Sequence, residues 1–171
     1  MRINYLSETA HNEWYTPPHI VEAAREVLGG RIDFDPFSSE AANAVVKASL
    51  FLTKEDDALD FPWSPGTCFV NPPYERGVIG KAIEKTVWHL NQRQNTGIVL
   101  VNAATDAAWF QLLLDNASAV CFLRKRLKFI DGVGGSVKGN GNTRAQALFY
   151  FGCDIERFAG VFEDAGAVIF L

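Results

Sequence analysis

Two apolar runs constrain this chain more than any other feature: residues 67–71 (TCFVN) and 97–102 (GIVLVN), separated by one long amphipathic segment. Unbroken apolar runs of that length suit strands covered on both faces, and two such strands run parallel only with a crossover, usually a helix, between them. The intervening segment, 78–95, supplies the helix, with Ile79, Ala82, Ile83, Val87 and Leu90 on one face. The same alternation extends both ways. Residues 17–29 read as a helix that Thr16 caps, Pro17 starts and Gly29-Gly30 ends, with Ile20, Val21, Ala24, Val27 and Leu28 on its inner face. Residues 31–35 and 48–52 read as short strands, and 39–47 as a helix capped by Ser38 or Ser39. A helix over 105–116, capped by Thr105 or Asp106, precedes strands at 119–123, 145–151 and 167–171. Strands alternating with helices predict an α/β sandwich built on a largely parallel sheet. Residues 131–143, with five glycines, read as a loop.

At 171 residues the chain is expected to be a single domain, 1–171, with 48% hydrophobic residues for its core. No run reaches the roughly 18 apolar residues of a membrane span, and the start of the chain lacks the apolar stretch of a signal peptide. Three cysteines, two of them in apolar runs, argue against a disulfide framework and for a reducing cytoplasm. The histidines and cysteines show no metal-ligand spacing, so no metal site is expected. The net charge of −4 averages two unlike regions. Residues 31–63 hold seven acids (Asp33, Asp35, Glu40, Glu55, Asp56, Asp57, Asp60) against Arg31, Lys47 and Lys54. Residues 124–144 hold six bases (Arg124, Lys125, Arg126, Lys128, Lys138, Arg144) against Asp131. Such a split suits a cationic ligand at one end of a site and a phosphate backbone at the other.

The sharpest chemical signal is Asn71-Pro72-Pro73-Tyr74, at the carboxyl end of the TCFV strand. Open α/β sheets bind ligands at that edge. An exocyclic ring amine is a poor nucleophile because its lone pair is delocalised into the ring. Two acceptors held against its N–H bonds favour a pyramidal nitrogen with a localised pair. The Asn71 side-chain carbonyl and the Pro72 backbone carbonyl are suited to that task, and proline fixes φ and so stiffens the loop beforehand. Tyr74 offers a face for stacking a base. A second block, Asp33-Phe34-Asp35-Pro36-Phe37-Ser38-Ser39, places an acid at a strand end before a small-residue turn into a helix. A ligand carrying an ammonium and a sulfonium would be drawn to Asp35. A third, Trp14-Tyr15-Thr16-Pro17-Pro18, offers aromatic packing and a hydroxyl. A fourth, residues 53–60 (TKEDDALD), offers Asp57, preferred to Asp56, as an acceptor for an adenine amine. The Gly-x-Gly-x-x-Gly fingerprint of dinucleotide sites is absent.

Taken in order, these blocks, with R-L-K-F at 126–129, resemble the phage-type DNA N-6-adenine methyltransferases, the small Dam-like enzymes of bacteriophages. The resemblance spans about residues 12–151 and implies a Rossmann-like methyltransferase fold of about seven mostly parallel strands with helices on both faces. It implies S-adenosylmethionine as methyl donor and the N6 of adenine in DNA as acceptor, the adenine being flipped from the stack. It implies Asn71, Pro72, Pro73 and Tyr74 as the catalytic loop, and Trp14, Tyr15, Thr16, Asp35, Pro36 and Asp57 as cofactor contacts. Arg76, Arg124, Arg126, Lys128, Lys138 and Arg144 are then the DNA-facing cations. Phe37 departs from the family, which usually has Cys or Ala there, and is expected to alter how the methionine end of the cofactor packs. A role in protecting phage DNA from restriction follows from the resemblance alone. Methylation of another amine or amide (an RNA base, a glutamine side chain) and a non-catalytic binding module remain as alternatives. With no separate target-recognition domain expected, sequence selectivity is expected to be loose; the oligomeric state, monomer or weak dimer, is left open.

Overall fold

In the computed structural model, residues 14–131 and 143–171 are described. They form nine strands and five helices in the order β1 (Trp14–Tyr15), α1 (Pro18–Val27), β2 (Phe34–Asp35), α2 (Glu40–Val46), β3 (Leu50–Phe51), β4 (Thr67–Val70), α3 (Ile79–Leu90), β5 (Thr96–Asn102), α4 (Ala108–Asn116), β6 (Ala119–Leu123), β7 (Ile130–Asp131), β8 (Gln146–Phe151), α5 (Ile155–Phe162) and β9 (Gly166–Phe170). Seven strands make one sheet in the order β3-β2-β4-β5-β8-β6-β9. The pairs β3–β2, β2–β4 and β4–β5 are parallel. The pairs β5–β8, β8–β6 and β6–β9 are antiparallel. The sheet is therefore mixed, which corrects the expectation of a mostly parallel one. The cause lies in the connections: β8 inserts between β5 and β6 and runs against both.

Side chains alternate across the strands, so two cores form. Phe69, Ile98, Leu100, Cys121, Leu148 and Tyr150 face α1 and α5, which contribute Ile20, Val21, Ala24, Phe158 and Phe162. Phe34, Val70, Val99, Val101, Phe149 and Phe151 face α3 and α4, which contribute Ile83, Val87, Phe110 and Leu113. Helices on both faces agree with the sequence expectation.

The helix ends differ in instructive ways. Thr16 does not cap α1; the cap position is Pro17, extended at φ −56 and ψ 139, with no side-chain cap bond. Proline at the next position disfavours helical geometry at Pro17, so Thr16 lies one residue too early. Ser39 caps α2 as expected, its hydroxyl accepting from Ala42 N at 3.1 Å. The turn after α2 is closed by Asn43, whose carboxamide oxygen accepts from Ala48 N at 2.8 Å. Helix α4 starts after Thr105 and Asp106, which lie in a turn, and neither caps it; Gln111 instead donates to Thr105 O at 2.6 Å. Helix α3 stops at Leu90, short of 95, because the polar run after it has no apolar residue to bury; Asn95 folds back to donate to His89 O at 2.7 Å.

Two features lie beyond the sequence reading. Helix α5 is capped by Asp154, which accepts from Arg157 N at 3.1 Å. Strands β1 and β7 pair antiparallel, Trp14 with Asp131 and Tyr15 with Ile130, and so bring the W-Y-T-P-P block beside the R-L-K-F block. At the far edge, β9 packs so closely on β6 that a Cβ on Gly166 would collide with Phe122 O and Cys121 Sγ. Gly166→Ala should cost about 1–3 kcal/mol of stability, read as a lowered midpoint in urea unfolding with an unchanged slope. An unchanged midpoint would contradict the β6–β9 packing.

Candidate active site

The carboxyl edge of β4 gathers the site. Phe69 faces the α1 core, so Asn71, two residues on, falls on the same face just past the strand. Its amide nitrogen donates to Thr16 Oγ1 at 3.3 Å. Thr16 is buried immediately before α1. The bond turns the Asn71 carboxamide so that its oxygen points away from Thr16, which leaves it as an acceptor. Thr16 thus orients Asn71 directly, a role distinct from the ligand contact expected of it.

The β4–β5 register pairs Val70 with Val99, so continued pairing would set Pro73 opposite Asn102. The two prolines end the strand, and Tyr74 Oη accepts the Asn102 N–H at 2.7 Å. The phenol takes the place of the missing strand carbonyl. Tyr74 is nevertheless 44% exposed. Its hydroxyl end is buried, which raises the phenol pKa well above the usual range, with Asn102 N–H and the charge of Arg144 opposing the rise. The exposed portion is therefore ring, with Trp109 edge-on at 6.4 Å between centroids. Pro72 is buried and Pro73 half-buried, so the loop from Asn71 to Tyr74 is held at both ends.

Of the two acids in the D-F-D block, Asp33 is structural: its Oδ2 accepts from Thr67 N and Thr67 Oγ1, both at 2.9 Å. Asp35 is buried on the strand beside β4, and Phe34 pairs with Cys68. Burial pushes its carboxyl up to about 7, opposed by the Ser38 hydroxyl and the Phe37 N–H, the latter donating at 3.2 Å. The Ser38 hydroxyl lies near the carboxylate without meeting it in hydrogen-bond geometry, and Ser38 Oγ is buried without a partner. A buried acid and an orphaned hydroxyl together suit a ligand with a positive charge and hydrogen-bond donors. Pro36 is buried, and Phe37 turns to Trp63, 5.6 Å between ring centroids, on the α3 side of the sheet.

Other expected residues are less concentrated. Asp57 is exposed at positive φ, its carboxylate accepting from Leu59 N at 3.3 Å, and lines a cleft of about 380 Å³ with Lys81 and Lys85 of α3. Asp56 is engaged by Thr53, accepting from its amide at 2.8 Å and its hydroxyl at 2.9 Å. Tyr15 is half-buried in the β1–β7 ribbon, to which Trp14 also belongs. Arg126 and Lys128 are exposed while Leu127 is buried and Phe129 half-buried, so R-L-K-F alternates outward cation and inward anchor. Arg124 donates to Glu163 O and Gly166 O, each at 3.3 Å, and so braces the α5–β9 link. Arg76 and Arg144 are exposed, Arg144 close enough to Tyr74 to act on its phenol. Lys138 lies outside the described residues. A wide cleft of about 910 Å³ between α1 and α5, lined by His19, Glu22 and Arg157 among others, contains none of the expected site residues.

Asn102 and Gln146 were not anticipated. Asn102 ends β5 and Gln146 begins β8, and because β8 runs against β5 both lie at the carboxyl edge of β5.

The raised Asp35 value sets a stability trend. Its folded pKa lies above the reference 3.8, so ionisation disfavours the fold; the penalty is absent below about pH 4 and complete above about 7. Its full size is on the order of 4 kcal/mol. The stability gain of Asp35→Asn over the unmodified chain should therefore grow between pH 4 and 7 in unfolding titrations, and a pH-independent difference would contradict the assignment.

Comparison with known proteins gives the family. A family model of the DNA N-6-adenine-methyltransferases (Dam) matches residues 4–158. The chain is also 28% identical over 141 residues to the DNA N-6-adenine-methyltransferase of Haemophilus phage HP1, covering 81% of this chain and 77% of that protein. The chain belongs to the DNA N-6-adenine-methyltransferase (Dam) family.

Proposed function

We propose that this chain, a DNA adenine-N6 methyltransferase by family, takes its methyl group from S-adenosylmethionine and uses residues 71–74 as the catalytic loop. The observation that carries the reading is the Thr16–Asn71 hydrogen bond, which sets the Asn71 carbonyl as a fixed acceptor at the carboxyl edge of β4. S-adenosylmethionine supplies an electrophilic methyl on a sulfonium. Asp35 and Ser38 Oγ fit its ammonium and hydroxyl groups, since both are buried polar groups short of partners. Trp14, Tyr15 and Pro36 would border it, with Asp57 at the adenine end.

The target adenine is extruded from the helix, at a cost of about a few kcal/mol. Tyr74 presents the exposed part of its ring to the base, with its hydroxyl fixed on Asn102. Asn71 Oδ1 and Pro72 O accept the two N6 hydrogens and localise the nitrogen lone pair toward the methyl. Because these acceptors are set before the base arrives, little reorganisation accompanies the transition state. The extra proton leaves N6 after transfer, so no residue need remove it first. Arg76, Arg126, Lys128, Lys138 and Arg144 would face phosphates, and their number sets the salt dependence of binding.

Removing the acceptor tests this. Asn71→Ala should lower the rate of N6-methyladenine formation in DNA by about a hundredfold or more, while the affinity for S-adenosylmethionine, measured by calorimetry, stays within about threefold. Turnover near that of the unmodified enzyme would overturn the assignment.

A further inference from the structure

The turn that presents Asp57 is fastened more tightly than its exposure calls for. Asp57, Asp60 and Phe61 are exposed, so water can satisfy their backbone. Four carbonyls of the turn are nevertheless engaged within the protein. Asp57 O accepts from Asp60 N and Phe61 N, both at 3.0 Å. Ala58 O accepts from Trp63 Nε1 at 2.8 Å. Leu59 O and Phe61 O share one donor, the Lys85 ammonium of α3, at 2.7 and 2.6 Å. The same ammonium stands 5.5 Å from the centre of the Trp63 ring. Lys85 is half-buried, and burial lowers its pKa, with the charges of Asp60 and Asp57 opposing the fall. Holding a long cation in one place, partly out of water, costs entropy and hydration. What it holds is the turn on which Asp57 sits at φ 46.

The fastening reaches the other acid of the site. Leu52, ahead of the turn, donates its N–H to Asp35 O at 3.0 Å and accepts from Ser38 N at 2.9 Å. Trp63, beyond the turn, packs edge-on against Phe37 with 5.6 Å between ring centroids. The segment from 52 to 63 is thus pinned at both ends to the turn that follows Asp35, and Lys85 closes it on α3.

We propose that Lys85 is a positioning residue for cofactor binding: by clamping the carbonyls of Leu59 and Phe61 it holds the Asp57 carboxylate at a fixed separation from Asp35, the separation that an adenosyl cofactor spans. The role rests on the proposed function, in which Asp35 meets the amino-acid end of the cofactor and Asp57 its adenine end, and deepens it. A binding group set in place before the ligand arrives lowers the ordering cost of binding. Methyl transfer itself takes place at residues 71–74, so Lys85 governs affinity and leaves turnover at saturating cofactor alone. Plain electrostatics predicts the opposite sign, since removing a cation beside a site for a cationic ligand strengthens binding.

Three substitutions test this. Lys85→Met keeps most of the stem and removes the ammonium, Lys85→Arg restores a cationic donor, and Asp57→Gly removes the carboxylate where the positive φ already suits glycine. Affinity for S-adenosylmethionine is measured by calorimetry, and turnover on DNA at saturating cofactor. Lys85→Met should weaken cofactor affinity about tenfold, with kcat and KM for DNA within about threefold. Lys85→Arg should recover most of the affinity. In an Asp57→Gly background the same Lys85→Met change should weaken affinity by less than about twofold, because the group it positions is gone. Unchanged affinity in Lys85→Met would overturn the proposal, as would an equal weakening in both backgrounds, which a merely structural lysine gives. Unchanged affinity in Asp57→Gly alone would overturn both the clamp and the Asp57 contact it serves. Failure of the unmodified enzyme to bind S-adenosylmethionine at all would instead remove the proposed function beneath them.

Discussion

The site depends on where the ladder between β4 and β5 stops. Val70 and Val99 are its last matched pair, and the two prolines that follow Asn71, with fixed φ and no N–H to donate, end β4 there. Strand β5 continues to Asn102 and there presents an N–H that needs an acceptor. The Tyr74 hydroxyl fills that need at 2.7 Å, so the loop is anchored on the strand it has just left. At its other end the Thr16–Asn71 bond ties it to the start of α1. A loop fixed at both ends, with stiff prolines between, presents its acceptors without the entropy of ordering them later.

The uneven charge follows the same edge of the sheet. The acidic segment contains two acids with opposite duties. Asp33 is satisfied by Thr67 and helps hold β2 on β4, whereas Asp35 is buried with its carboxyl raised to about 7. A buried acid so poorly compensated is a reason to look for a ligand that brings the missing charge. On the basic side, Arg126 and Lys128 project from the segment before β7, which pairs with β1 next to Thr16. Arg124 shows why a cation in such a run is not automatically a contact for phosphate, since it spends its guanidinium on the backbone around α5 and β9.

Much of this was legible in the sequence because it rests on local rules. Apolar runs and amphipathic spacing located β4, α3, β5, β6 and β8, and put residues 71–74 just past the end of β4. Non-local facts were not legible. The insertion of β8 between β5 and β6 makes two of the six sheet pairings antiparallel, the β6–β9 pairing being the third, and no pattern within β8 announces its neighbours. The two-residue strands β1 and β7 are too short to carry a periodicity and exist because each finds the other. Thr16 looked like a helix cap because Thr-Pro so often is one; a second proline displaced the cap and freed the hydroxyl for Asn71. The Gln146–Asn102 hydrogen bond is visible only once β8 is placed beside β5.

The central claim is that Thr16 acts through Asn71, and Thr16→Val tests it most directly because it keeps the shape and removes the hydroxyl. Turnover on DNA and the affinity for S-adenosylmethionine should be measured on the same preparation. Loss of one orienting bond predicts a fall in kcat of about tenfold or more, with cofactor affinity within about threefold of the unmodified enzyme. Unchanged kcat with weakened cofactor binding would contradict the account and make Thr16 a ligand contact instead.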